Sequence, residues 1–177
     1  MEKQSAFSTP RYNGGVAFTI RDFQLADFEV LWRIDQDCFP AGISYSRGEL
    51  KAYMRRRGSF TLLAENDAPP KSAEGAGGGA IGGFIVAEAG GRGSGHIITI
   101  DVVNTARRSG VGSLLLRAAE DRLHAARCRT VELETAVDNL SALGFYKRHG
   151  YSVIKTFPRY YSNGVDALVL QKDLAEK

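Results

Sequence analysis

The stretch Ile100-Asp101-Val102-Val103-Asn104-Thr105-Ala106-Arg107-Arg108-Ser109-Gly110-Val111-Gly112-Ser113-Leu114-Leu115 runs from a β-rich segment through a polar turn into a helical pattern. Such a turn suits an anion. The first N–H groups of a helix have no intrahelical acceptor and carry a partial positive charge. Gly110 and Gly112 let a phosphate approach the backbone with no Cβ in the way, and Arg107 and Arg108 add two cations. No Gly-Lys-Ser/Thr follows, so this is not a nucleotide-triphosphate loop. The glycines of Gly75 to Ala80 have the spacing of a dinucleotide fingerprint, but they precede a strand instead of leaving one for a helix.

Other reactive side chains are arranged less tellingly. Glu132 and Glu134 share one face of a strand by its period of two, and Asp101 is the nearest further carboxylate in a β-rich run. His96, His124 and His149 show no ligand spacing, so no metal is expected. His149 before Gly150 suits a helix C-terminus, where a cation favours the dipole. Cys38 and Cys128 form neither a disulfide framework nor a metal cluster and read as small buried hydrophobes in a reducing compartment.

These residues need a scaffold, and the hydrophobic pattern predicts one. A loose tail over residues 1–14 leads to a strand over Val16 to Arg21 and a helix over Leu25 to Cys38, ended by Phe39-Pro40. Ser46-Arg47-Gly48-Glu49 has capping-box spacing for a helix to about Arg56. Strands over Ser59 to Glu65, Ala80 to Glu88 and His96 to Val103 form an antiparallel meander, with flexible joints at Asn66 to Gly79 and Gly90 to Gly95. Helix and strand then alternate: Ser109 to Ala126, Thr130 to Ala136, Asn139 to His149, Tyr151 to Thr156. A last strand, Val165 to Lys172, follows the hairpin signal Asn163-Gly164. Seven strands and four helices in this order predict an α/β (α+β) domain around a mixed central sheet, one domain over residues 1–177.

The turn Arg107-x-x-Gly110-x-Gly112 after an apolar strand resembles the pyrophosphate-binding pattern of the GNAT superfamily of N-acetyltransferases. The segment Leu133-Glu134-Thr135-Ala136-Val137-Asp138-Asn139 through Leu143, Tyr146 and Gly150-Tyr151 resembles a second GNAT segment, closest to the bacterial ribosomal-protein-alanine N-terminal acetyltransferase type. The likeness extends from Ile20-Arg21-Asp22 to Asp166-Ala167-Leu168. It departs at Thr135-Ala136, where Val-Arg is usual, at Gly144 inside a helix, and in the long glycine loop.

That resemblance implies a GNAT fold with acetyl-CoA as co-substrate and no metal. It implies Glu134 as general base and Tyr146 as general acid, with Glu132 and Asp101 as alternative bases. It places the coenzyme against Val102, Val103, Arg107, Arg108, Ser109, Gly110, Val111, Gly112, Ser113 and Asn139. Phe39, Pro40 and Tyr45 on one wall and Tyr160 and Tyr161 on the other hold an acceptor, read as a protein or peptide N-terminus with a small first residue. Acceptors of a second kind, small amines or lysine side chains, stay open, as does a non-catalytic acetyl-CoA-binding module.

Composition narrows the classes. With 44% hydrophobic and 24% charged residues the chain reads as an ordinary globular protein. No apolar run approaches the ~18 residues of a membrane span, and the first residues lack the pattern of a secretory signal, so a cytoplasmic protein is expected. A net charge of +3 on scattered basic residues predicts no nucleic-acid partner, and a monomer or weak homodimer is expected.

Overall fold

The elements form in the predicted order in a computed structural model that describes residues 17–66 and 80–174. They are β1 (Phe18–Asp22), α1 (Phe28–Cys38), α2 (Arg47–Met54), β2 (Ser59–Asn66), β3 (Ile81–Ala89), β4 (Ser94–Val102), α3 (Val111–Ala125), β5 (Thr130–Ala136), α4 (Leu140–Arg148), β6 (Ser152–Phe157) and β7 (Ala167–Asp173). The expected tail over 1–14, the start of the first strand at Val16 and the glycine loop over 67–79 lie outside the described residues.

Local chemistry sets the ends that matter. Phe39, held extended ahead of Pro40, stops α1. At α2 the Ser46 hydroxyl accepts from the Glu49 N–H, and the Glu49 carboxylate accepts from the Ser46 N–H at 2.8 Å, completing the box. The first turn of the helix expected from Leu25 is instead a separate 3-10 turn, Leu25–Asp27. There the Asp27 carboxylate accepts the Gln24 N–H and two N–H groups of Arg21, which draws the chain into the tighter turn. No helix among the described residues is long and apolar enough to cross a membrane.

The strands make one mixed sheet in the order β1-β2-β3-β4-β5-β7-β6. Only β4 and β5 run parallel, and they pair over just Ser94–His96 and Thr130–Glu132. Immediately after His96, β4 carries a bulge: Ile97 lies opposite Ala87 and Thr99 opposite Val86, leaving Ile98 over. A bulge bends its strand and raises the local twist. Past it β4 and β5 separate.

Two apolar layers cover the sheet. On one face Leu115, Leu116, Ala119 and Leu123 of α3 pack on Ile85, Ile97, Val131, Leu133 and Leu170, with Tyr146 and Tyr151 from the α4 segment. On the other, Phe28, Leu31 and Ile34 of α1 and Leu50 of α2 pack on Leu63, Phe84 and Val86. Close approach demands glycine at Gly83, where a Cβ would lie 2.4 Å from the Asp101 carbonyl oxygen.

Candidate active site

The parting of β4 and β5 leaves a gap edged by two strands, and strand geometry says which groups face it. The Val103 N–H donates to the Gly82 carbonyl at 3.0 Å, so Val103 opposes Gly82 in a hydrogen-bonded pair. Antiparallel pairs alternate, so the backbone groups of Val102 and Ile100 turn from β3 toward the gap. Likewise the Val137 N–H donates to the Asp166 carbonyl, which turns those of Glu134 and Ala136 from β7 into the gap. Of the two strand residues expected against the coenzyme there, Val103 therefore has its N–H already committed. Val102 keeps its own.

At the end of this gap lies the Arg107 to Ser113 turn. Arg108 and Gly110 adopt positive φ, 61° and 89°, which curls the chain into the start of α3. Among the described residues, no N–H from Arg108 to Ser113 donates to a backbone carbonyl. Several side chains expected to meet the coenzyme also hold the turn. Arg107 Nε donates to the Val102 carbonyl at 3.1 Å, Ser109 Oγ donates to the Ala106 carbonyl at 2.6 Å, and Val111 is buried in the α3 layer. Asn139 caps α4, its Oδ1 accepting from the Ala142 N–H at 3.1 Å. What the turn offers an anion is thus mainly backbone N–H, with the exposed Arg108 at its rim. A Cβ on Gly112 would meet only the Phe145 ring at 3.4 Å and Val102 Cγ2 at 3.7 Å, so alanine would fit there.

The titratable groups gather on the sheet face covered by α1 and α2. Glu134, half-buried on β5, accepts from His96 Nε2 on β4 at 2.7 Å. Burial would depress the His96 pKa, but Glu134, aided by Glu88 and Glu132, raises it above its ordinary value. Glu132, the first alternative base, accepts from Gln171 Nε2 at 2.6 Å and lies level with the last paired residue of β4. Asp101, the second, is fully buried; burial and nearby Asp35 push its pKa well above its ordinary value, which favours the neutral form. Asp35 is also fully buried and is raised to about 6, chiefly by desolvation, against the Tyr45 N–H and Gln36 amide that its Oδ2 accepts. Its Oδ1 has no hydrogen-bond partner among the described residues.

Tyr146 belongs to the α3 layer, edge-on to Tyr151 with ring centroids 5.5 Å apart. Burial raises its pKa, and Asp101 and Tyr161 add to the effect. Its hydroxyl makes no hydrogen bond among the described residues.

The two expected acceptor walls meet. Ser162 Oγ, in the loop between β6 and β7, donates to the Gly42 carbonyl between α1 and α2 at 2.9 Å. That loop carries Tyr160 and Tyr161, their rings edge to face at 5.1 Å, with Tyr160 stacked on Phe157. Tyr161 is pushed up to about 12 by burial, then by Tyr160, Glu134 and Asp138. The Tyr45 hydroxyl donates to the Ile98 carbonyl at 3.3 Å, and its ring rests on Tyr53. Phe39 is half-buried and Pro40 exposed at the head of the same wall, where the Pro40 carbonyl accepts the Ile43 N–H. Asn163-Gly164 turns the loop tip, and strand pairing resumes at Phe157↔Ala167, so β7 starts two residues later than the expected Val165 and the connection is a nine-residue loop, residues 158–166.

Sequence reasoning missed His96, Asp35 and Tyr53. Strict alternation puts His96 and Asp101 on opposite faces of β4. The bulge at Ile98 shifts the phase and brings both to the α1–α2 face, and nothing in the local sequence marks it.

The family model described as Acetyltransferase (GNAT) family matches residues 28–151. An uncharacterized N-acetyltransferase of Methanocaldococcus jannaschii is 38% identical over 101 residues, 50% of this chain and 65% of that protein. N-alpha-acetyltransferase 30 of Dictyostelium discoideum is 36% identical over 83 residues, 47% of this chain and 45% of that protein. The chain thus spans less than two thirds of the length of either relative. Among solved structures, Ard1 from Thermoplasma volcanium superposes with a TM-score of 0.76 at 26% identity, over 88% of this chain and 97% of that one. The ribosomal-protein-S18-alanine N-acetyltransferase from Escherichia coli does so at 0.73 and 18% identity, over 89% and 94%, a likeness of fold.

Proposed function

The chain belongs to the GNAT acetyltransferase family, and from that premise we propose that it transfers acetyl from acetyl-CoA to the free α-amine of a protein or peptide, by direct attack in a ternary complex. The observation that carries the reading is the Glu134 carboxylate just past the last β4–β5 pair, where the two strands part, close enough to Tyr160 and Tyr161 to raise both, with those tyrosines on a loop bonded to the facing acceptor wall. The names of the N-alpha-acetyltransferase relatives support the acceptor class.

Acetyl-CoA fits the residues present. Its pyrophosphate would meet the N–H groups of Arg108 to Ser113, which lack backbone acceptors among the described residues, and its amide-bearing arm would lie in a gap edged by backbone groups of both strands. The Val102 N–H polarises the thioester carbonyl. The amine nitrogen attacks that carbon, the new C–N bond replaces the C–S bond, the amine proton goes to Glu134, and Tyr146 protonates the leaving thiolate. A terminal amine, with a pKa of about 7.7 to 8.0, is partly neutral near physiological pH, whereas a lysine at about 10.4 is rarely so. A half-exposed carboxylate is base enough for the first. The bridge from Ser162 to Gly42 favours a chain end over a lysine with backbone on both sides.

The test is an acetyl-transfer assay on short peptides with varied first residues, products located by mass spectrometry. Acetate on the α-amine, strongest for alanine or serine and abolished by blocking the N-terminus, is expected. Acetate chiefly on internal lysines, or on small polyamines with peptides untouched, would overturn the reading.

A further inference from the structure

Resting on the acetyl-transfer reading, we infer that His96 is the positioning residue for Glu134: its ring, reaching across the opening between β4 and β5, fixes the base and couples its proton uptake to its own.

The backbone makes such a link necessary. Pairing of β4 with β5 ends at His96↔Glu132, so Glu134 stands on β5 where no ladder bond to β4 remains. A glutamate side chain left free there would spread over several rotamers, and ordering it costs conformational entropy. The hydrogen bond from His96 Nε2, at 2.7 Å, spans the strands at this level and leaves the second carboxylate oxygen for the acceptor.

The neighbours make it specific. His96 lies in a row across three strands, opposite Glu88 on β3 and Glu132 on β5. Glu88 is paired with Arg56 at 3.7 Å, and Glu132 accepts from Gln171 at 2.6 Å. Glu134 is the carboxylate of the three to which the ring is bonded. The remaining titratable groups facing the pair are Tyr160, Tyr161 and Asp138 of the loops above, whose mutual influence with Glu134 raises both tyrosines.

The protonation logic follows from this geometry. With three carboxylates around it His96 holds its proton to a higher pH than an isolated histidine, and while it does so its cation faces the Glu134 carboxylate at hydrogen-bond distance. Loss of the His96 proton removes the cation from beside the carboxylate, which is then placed to accept the proton of the amine.

Three variants test this with saturating acetyl-CoA and peptide, kcat being followed from about pH 5.5 to about pH 9.5. H96A should lower kcat on the alkaline plateau about tenfold or more, with the KM for acetyl-CoA changed less than about twofold. H96Q keeps an N–H donor without a titrating ring; it should recover most of that loss and move the acid limb of kcat to lower pH. A parental acid limb in H96Q, or a plateau in H96A equal to the parent's, would overturn the inference. A readout without turnover separates this from a failure of the acetyl-transfer reading. The His96 ring, followed by NMR in the full-length protein, should titrate at lower pH in E134Q than in the parent. A midpoint unmoved by E134Q would sink the coupling even if acetyl transfer stands. A midpoint that moves in a protein acetylating no amine would keep the coupling and dismiss the reaction.

Discussion

The two faces of the sheet treat buried charge in opposite ways. On the α3 face, Glu120 is fully buried, yet it accepts from Lys172 Nζ at 2.7 Å and from the Tyr151 hydroxyl at 3.1 Å. Its charge is compensated inside the layer. On the α1–α2 face, Asp35 and Asp101 are buried with no cation bonded to either among the described residues, and one Asp35 oxygen has no hydrogen-bond partner among them. Burying an unpaired carboxylate is costly, which is why both are pushed toward the neutral form. One face is organised for stability, and the other carries the chemistry together with its cost in stability.

Breaking the satisfied pair should produce the largest effect. Lys172→Met leaves Glu120 buried beside one hydroxyl donor, and a loss of about 3 kcal/mol is expected in urea unfolding. Turnover per folded molecule should not change, because Lys172 lies in the α3 layer. A loss below about 0.5 kcal/mol would mean that the two faces do not differ in the way described.

The unsatisfied carboxylate should respond in the opposite sense and with a pH signature. The Asp35 pKa is raised on folding from 3.8 to about 6, so the native state binds the extra proton between those values and stability falls as pH rises through that window. Asp35→Asn removes this dependence. The variant should gain about 2 kcal/mol over the parent near pH 8 and nothing below about pH 4, by urea unfolding at both. An equal change at the two pH values would assign the effect to packing.

Tyr146 joins the faces, since it is packed in the α3 layer yet feels Asp101 and Tyr161. Tyr146→Phe should lower turnover at least about tenfold, about 1.4 kcal/mol in the barrier, while calorimetric affinity for acetyl-CoA stays within about twofold. Unchanged turnover at neutral and alkaline pH would confine the residue to the core.

The smallest effect is expected at Gly144 of α4. A Cβ there would meet only Arg148 Nη1, at 3.5 Å. Gly144→Ala should therefore add about 0.5 to 1 kcal/mol by thermal unfolding, with no change in turnover. Destabilisation would show that the glycine serves a contact at the edge of the gap.

Most of the architecture was legible in the sequence because it is written in local terms. The capping box at Ser46, the stop at Phe39-Pro40, the alternation in Thr130 to Ala136 and the strand-to-helix turn at Gly110 depend on residues a few positions apart. The motif spacings that suggested the family are local in the same sense, and they led to Glu134 and Tyr146. What only the tertiary structure decided depends on register and on partners far along the chain. His96 meets Glu134 across 38 positions, Ser162 meets Gly42 across 120, and Asp35 faces Asp101 from another element. The local hydrogen bonds of Arg107, Ser109 and Asn139 were hidden for the same reason, since a polar side chain bonds whatever acceptor or donor the folded backbone brings near. Above all, the extra residue at Ile98 is invisible to a period-two reading, because a bulge is defined by what lies opposite it. That one residue gathers histidine and aspartate on a single face, beside the gap where β4 leaves β5.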